Sequence, residues 1–131
     1  MTPPAAPVPP RVLVIDDGLT MRLFYRSVLD AAGFTVEEAA NGGEGYERVL
    51  AEPFDLLIVD VNMPKMDGYT LLRTLRQDPG GRDVPAVMIS TEAGPHDRDK
   101  AYAAGANFYL VKPVAPDLLV EVARLMTGRA A

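Results

Sequence analysis

Four consecutive apolar residues, Leu56-Leu57-Ile58-Val59, run straight into a carboxylate, Asp60, and no other feature constrains the fold as tightly. An unbroken apolar run of this length suits a strand covered on both faces, as in a parallel sheet. Pro64 stops the strand, and Asp67-Gly68 turns the chain toward a helix. Open α/β sheets bind their ligands at the carboxyl ends of strands, so Asp60 falls where chemistry is expected. Taken singly, Asp60 reads equally well as an acid that shapes a turn. The rest of the chain decides between the two.

A second apolar run, Arg11-Val12-Leu13-Val14-Ile15, also ends in acid, Asp16-Asp17. Met21, Phe24, Val28, Leu29 and Ala32 then recur near helical spacing, and Gly33 supplies the stop. Residues 34–39 form a short strand, placed at a sheet edge by the charges of Glu37 and Glu38. Asn41-Gly42-Gly43 reads as a turn, and Tyr46, Val49 and Leu50 mark a helix that ends before Pro53. After the Asp60 strand, Leu71, Leu72 and Leu75 give a helix face closed by Asp78-Pro79-Gly80-Gly81. Residues 84–90 make a fourth strand, and 96–104 a polar helix opened by Gly94-Pro95 and ended by Gly105. Residues 107–111 make a fifth strand, broken by Lys112-Pro113. Pro116 suits the first turn of a last helix carrying Leu118, Val122, Leu125 and Met126, with Ala115 a poor cap.

Strand and helix thus alternate five times with short connections. Parallel strands need crossovers, and right-handed crossovers wind the chain into a doubly wound (βα)5 sandwich. The 131 residues suit one domain, spanning 11–131, and leave nothing for a second. Residues 1–10 carry five prolines and no apolar period, so a disordered or extended tail is expected. A net charge of −5 argues against non-specific nucleic-acid binding. The absence of cysteine excludes disulfides and thiolate metal sites. No apolar run approaches the roughly 18 residues of a membrane span, and the N-terminus shows no secretion pattern. The cytoplasm is the default expectation.

The strand ends present a defined set of groups: Asp16 and Asp17, then Asp60, then Ser90 and Thr91, then Lys112. If the first and third strands are neighbours, three carboxylates converge. Two unit charges about 4 Å apart repel by roughly 1 kcal/mol in water and roughly 4 at an effective dielectric of 20. Such a cluster raises a pKa or holds a cation, and an incomplete all-oxygen cage suits Mg²⁺. Acids for a metal, a hydroxyl donor and an ammonium together suit a phosphoryl group.

At this point the chain resembles the receiver domains of two-component response regulators. The resemblance covers about residues 11–128 and is carried by Asp16-Asp17, Asp60 with Met63-Pro64-x-x-Asp67-Gly68, Ser90 and Lys112-Pro113. It implies a flavodoxin-like sheet of strand order 2-1-3-4-5. It implies that Asp60 is the phosphoacceptor, attacking a phosphohistidine on a sensor histidine kinase. Asp17 and Asp60 would ligate Mg²⁺, with the Asn62 backbone carbonyl as a third ligand and Asp16 acting through water. Lys112 would contact a phosphoryl oxygen, with its bond to Pro113 cis. Ser90 would bind the phosphoryl group after transfer, Thr91 would modulate access to it, and Tyr109 would swing inward as Ser90 moves.

Each residue alone has a plainer reading. Asp16 or Asp17 caps a helix, Ser90 is a turn hydroxyl, Lys112 is a solvated charge and Tyr109 is a packing residue. His96 reads as an exposed loop residue without metal-spaced partners. These plain readings fail jointly, because four strand ends would each need an accidental polar group of the right type. Two classes of function remain. One is a phosphorylation-operated binding module; the other is a small Mg²⁺-dependent aspartyl-phosphate phosphatase. The phosphatase pattern resembles one with a second Asp two residues after the nucleophile, where this chain has Asn62, which neither takes nor gives a proton. A switch rather than an enzyme is therefore expected. There is no G-x-x-x-x-G-K-[ST], and an EF-hand loop from Asp60 fails at Pro64 and Lys65.

The chain stops soon after the fifth helix, so output is expected through docking of a partner on the fourth helix, fifth strand and fifth helix, near Tyr109. Thr20-Met21-Arg22 and the intact run from Asp60 through Gly68 look like stand-alone chemotaxis regulators. That resemblance implies a chemosensory kinase, a flagellar motor switch as target, and a monomer. Phosphorelay, stress and cell-cycle circuits also use single-domain receivers.

Overall fold

The computed structural model describes residues 8–128. Residues 1–7 of the expected tail lie outside the described part. Pro10 is buried, and its carbonyl accepts a hydrogen bond from the Thr35 amide at 3.0 Å.

Strands β1 (Arg11–Ile15), β2 (Thr35–Ala39), β3 (Leu56–Asp60), β4 (Ala86–Ser90) and β5 (Phe108–Val111) alternate with helices α1 (Leu19–Ala31), α2 (Gly42–Ala51), α3 (Gly68–Arg76), α4 (Pro95–Ala104) and α5 (Pro116–Met126). The five strands pair in parallel in the order β2-β1-β3-β4-β5, the expected doubly wound order. Every residue of β3 and β4 is buried, which accounts for their continuous apolar runs. Alternate residues feed two cores. Leu13, Ile15, Leu57, Val59 and Met88 face α2, α3 and α4; Val12, Val14, Ile58, Val87 and Ile89 face α1 and α5.

β2 is an edge strand, and its charges are used. Glu38 pairs with Arg22 at 3.2 Å and Arg26 at 2.8 Å on α1, and Glu37 with Arg48 on α2 at 3.5 Å. Charged side chains on an edge discourage pairing with another chain.

Several boundaries differ from the sequence expectation, for local reasons. Asn41 is the N-cap of α2, accepting from the Glu44 amide at 2.8 Å, so Gly42 and Gly43 are helical rather than a turn. Gly42 is needed there because a Cβ would come within 2.9 Å of Met66. β4 starts at Ala86 rather than residue 84: Pro85 has no amide to donate, though its carbonyl accepts from Leu57 at 2.8 Å. β5 starts at Phe108; just before it, the Asn107 amide donates to the Ala86 carbonyl at 2.8 Å and its Oδ1 accepts from the Ala86 amide at 2.9 Å. On α1 the buried aromatic is Tyr25, while Phe24 is exposed. On α5 the buried face is Leu119, Val122 and Ala123, while Leu118 and Leu125 are exposed. Leu50, which helped mark α2, is exposed as well.

Candidate functional site

The carboxyl ends of β1 and β3 lie side by side, since Ile15 is in register with Val59. One step further along each strand, the chain presents acid. Carboxylate oxygens of Asp16, Asp17 and Asp60 all lie within 4.8 Å of one another. Asp16 and Asp60 are 2% and 4% exposed, whereas Asp17 opens to solvent. The plain reading of these acids as helix caps does not hold, since the N-cap of α1 is Gly18.

Lys112, just past β5, reaches across the strand ends. Its Nζ donates to Asp60 Oδ1 at 3.0 Å and lies 3.9 Å from Asp16 Oδ2. The ammonium therefore offsets part of the repulsion within the acidic cluster. The Lys112-Pro113 peptide is cis. Burial pushes the Asp16 carboxyl above the usual carboxylate range; Asp60 and Asp17 push the same way, while the Gly18 amide and Lys112 oppose them. Asp16 Oδ1 accepts from the Gly18 amide at 2.8 Å, but Oδ2 is buried with no hydrogen-bond partner among the described residues. A buried carboxylate oxygen that accepts no hydrogen bond, in a cluster of acids, is what a divalent cation would complete. The donor set, all oxygen and open on the Asp17 side, fits Mg²⁺.

The turn after Asp60 is set by close packing. The Gly68 amide donates to the Val61 carbonyl at 3.0 Å, and a Cβ on Gly68 would sit 2.6 Å from the Asp60 carbonyl oxygen. Asp67 caps α3 by accepting from Thr70 at 2.8 Å. Asn62 lies in this turn, exposed. Lys65 takes a positive φ of 69° within it.

Ser90 ends β4 and is fully buried. Its hydroxyl oxygen accepts from the Glu92 amide at 3.1 Å. The Glu92 carbonyl accepts in turn from the Tyr109 hydroxyl. One residue, Glu92, thus links Ser90 to Tyr109. Thr91, between Ser90 and Glu92 in the chain, is exposed. Tyr109 is 1% exposed. The Tyr109 ring thus lies inward, its hydroxyl held by the Glu92 carbonyl.

Sequence reasoning missed four contributors. Glu92 acts through its backbone, which leaves no side-chain signature. Arg22 donates to the Asp16 carbonyl at 2.7 Å, and its place four residues after Gly18, one helical turn in, points it there. Tyr25 lies under the cluster, and burial, then Asp16 and Asp60, push its phenol well above the usual range. Its hydroxyl has no hydrogen-bond partner among the described residues. Arg98 stacks on Tyr109, 5.4 Å from the ring centroid.

Residues 12–124 match the family described as the response regulator receiver domain. The chain belongs to that family. This receiver is 38% identical over 120 residues to the chemotaxis protein CheY1 of Helicobacter pylori, covering 90% of this chain and 97% of that one. It is 40% identical over 102 residues to a gliding motility regulatory protein of Myxococcus xanthus, covering 78% of this chain but only 13% of that much longer protein. The chemotaxis protein CheY4 of Vibrio cholerae superposes with a TM-score of 0.86 at 33% identity, covering 91% of this chain and 99% of that one. The receiver domain of a sensor histidine kinase from Pseudomonas aeruginosa, solved with a magnesium ion in its active-site cleft, superposes with a TM-score of 0.85 at 26% identity, covering 92% and 99%. Receiver domains act chiefly as phosphoacceptor switches, working between sensor histidine kinases and downstream targets. Among the described residues, no helix is long and apolar enough to cross a membrane.

Proposed function

We propose that this receiver is a phosphorylation-operated switch in which Asp60 takes the phosphoryl group. The contact from Lys112 Nζ to Asp60 Oδ1, 3.0 Å, carries the reading. It leaves a buried carboxylate beside a cation that also suits a phosphoryl oxygen. An Asp60 oxygen forms a bond to phosphorus as the phosphorus–nitrogen bond of a phosphohistidine breaks, and the imidazole leaves with the electron pair. Asp17, Asp60 and the Asn62 carbonyl would hold Mg²⁺, with Asp16 acting through water. The bound ion supplies positive charge for the phosphoryl oxygens.

Ser90 then binds a phosphoryl oxygen. Its hydroxyl donates its proton to that oxygen while its lone pair accepts from the Glu92 amide, so a shift of Ser90 is carried to Glu92, whose carbonyl holds Tyr109. A change at Asp60 is thereby passed to α4, β5 and α5, the face on which a downstream protein docks. The protein is a monomer of the cytoplasm, and its donor is a sensor histidine kinase. Chemotaxis or motility control fits the relatives best, and the flagellar motor switch is the target that this implies. Service in a phosphorelay, stress or cell-cycle circuit is the second reading. The phosphatase alternative is disfavoured by Asn62, whose carboxamide does not act as an acid or base toward water or a leaving group.

Incubation with acetyl phosphate and Mg²⁺, followed by intact-mass and peptide mass spectrometry, tests the proposal. One added phosphoryl group on Asp60, lasting seconds to hours and lost in Asp60→Asn, is expected. Rapid multiple turnover without a phosphoprotein, or modification elsewhere, overturns it.

A further inference from the structure

α4 is built unlike the other helices. Its sequence, PHDRDKAYAA, offers no broad apolar stripe, and only Ala101 and Ala104 are buried. Two methyl groups are a small seat for a ten-residue helix. The helix nevertheless stays beside β5 and α3, and two cations flank that seat. Arg98 Cζ lies 5.4 Å from the Tyr109 ring centroid, and Lys100 Nζ lies 4.5 Å from that of Tyr69. At 3.6 residues per turn, Ala101 and Ala104 point about 60° apart, and Arg98 and Lys100 fall on opposite shoulders of that direction. Tyr109 belongs to β5 and Tyr69 to α3, so the two stacks grip α4 from both sides. Arg98 makes no ion pair among the described residues, which leaves its guanidinium to the ring.

We infer that Arg98 is a positioning residue for Tyr109, its guanidinium holding the tyrosine inward from the ring face while Glu92 holds it at the hydroxyl. Both restraints come from one short segment, residues 92–98. A displacement of that segment loosens the ring at two points together, so the position of α4 and the position of Tyr109 are coupled. The inference deepens the switch reading by naming what biases the switch side chain. The contact itself is a feature of this structure and does not depend on the switch reading.

The experiment uses the full chain labelled with 3-fluorotyrosine, with the Tyr109 resonance assigned by its loss in Tyr109→Phe. Arg98→Met keeps the length of the stem and removes the charge. An exposed cation on an aromatic face shifts the inward-to-outward ratio by about two- to five-fold, so the Tyr109 fluorine signal moves toward its solvent-exposed position by that weight. Arg98→Lys restores most of the shift. Lys100→Met moves the Tyr69 signal and leaves Tyr109 nearly unchanged. Unchanged signals from the remaining tyrosines show that the variants are folded. An identical Tyr109 signal in Arg98→Met and the parent overturns the inference, as do equal shifts in Arg98→Met and Arg98→Lys. Acetyl phosphate labelling of Asp60 in the same samples is a separate readout: its failure removes the switch reading and leaves the Arg98–Tyr109 contact standing.

Discussion

The Asp16 carboxylate sits in an unfavourable place. It is buried beside two other acids, and one of its oxygens has no hydrogen-bond partner among the described residues. Its pKa is raised above the usual value, chiefly by burial. A carboxyl with a higher pKa folded than unfolded binds more protons in the native state. Stability therefore falls as pH rises from the unfolded value of about 3.9 through the raised folded value, and the cost is fully present above it. Asp16→Asn removes that charge and is expected to stabilise the metal-free protein at pH 7 and to flatten this part of the pH profile. Urea titrations at several pH values, in chelator, measure both; a destabilised variant would contradict the account. Gly68 is constrained differently. Gly68→Ala drives a methyl group to 2.6 Å from the Asp60 carbonyl, so backbone must move. A loss of about 1–3 kcal/mol in urea unfolding is expected, together with slower labelling of Asp60 by acetyl phosphate. Thr91 is exposed next to Ser90, and the resemblance gives it a role in access of water or donor. Thr91→Ala is expected to change the phosphoryl lifetime, measured by the decay of intact phosphoprotein; an unchanged lifetime removes that role.

At the scale of elements, each strand run and its terminal polar group were legible in the sequence, because both are properties of a few consecutive residues. Helix faces were legible only approximately. Adjacent positions on a helix differ by about 100°, so Phe24 and Tyr25, or Leu118 and Leu119, are equally apolar candidates for one slot. Which of them turns inward is settled by the neighbouring elements. Leu119→Ala is expected to cost about 2–5 kcal/mol, as for a fully buried leucine, whereas Leu125→Ala stays within about 0.5 kcal/mol. Chemical denaturation of the two variants side by side checks the assignment. α4 was read as a polar helix, which it is, but what seats it was not legible. Its anchors are aromatic rings on α3 and β5, distant in the chain.

For the whole molecule, the acidic cluster links stability to metal. A ligand that binds only the folded state stabilises it by RT ln(1 + [L]/Kd), about 2.7 kcal/mol at a hundredfold excess over Kd. The melting temperature is therefore expected to climb with Mg²⁺ concentration and to return on adding chelator. Asp17→Asn should blunt the rise, since Asp17 forms the solvent-facing side of the cluster. Differential scanning fluorimetry across a Mg²⁺ series gives the answer, and a flat series would argue against a metal site.

The sequence by itself determined the alternation of elements, the buried central strands and the acids, hydroxyls and ammonium at their ends. These follow from short-range rules: apolar runs exclude water, and prolines and glycines stop them. Tertiary structure decided the rest. It brought Lys112 against Asp60 across the sheet, tied Ser90 to Tyr109 through the Glu92 backbone, and laid Arg98 on the tyrosine ring. Those contacts join residues whose proximity depends on strand order and helix placement, and no local pattern in the chain encodes it.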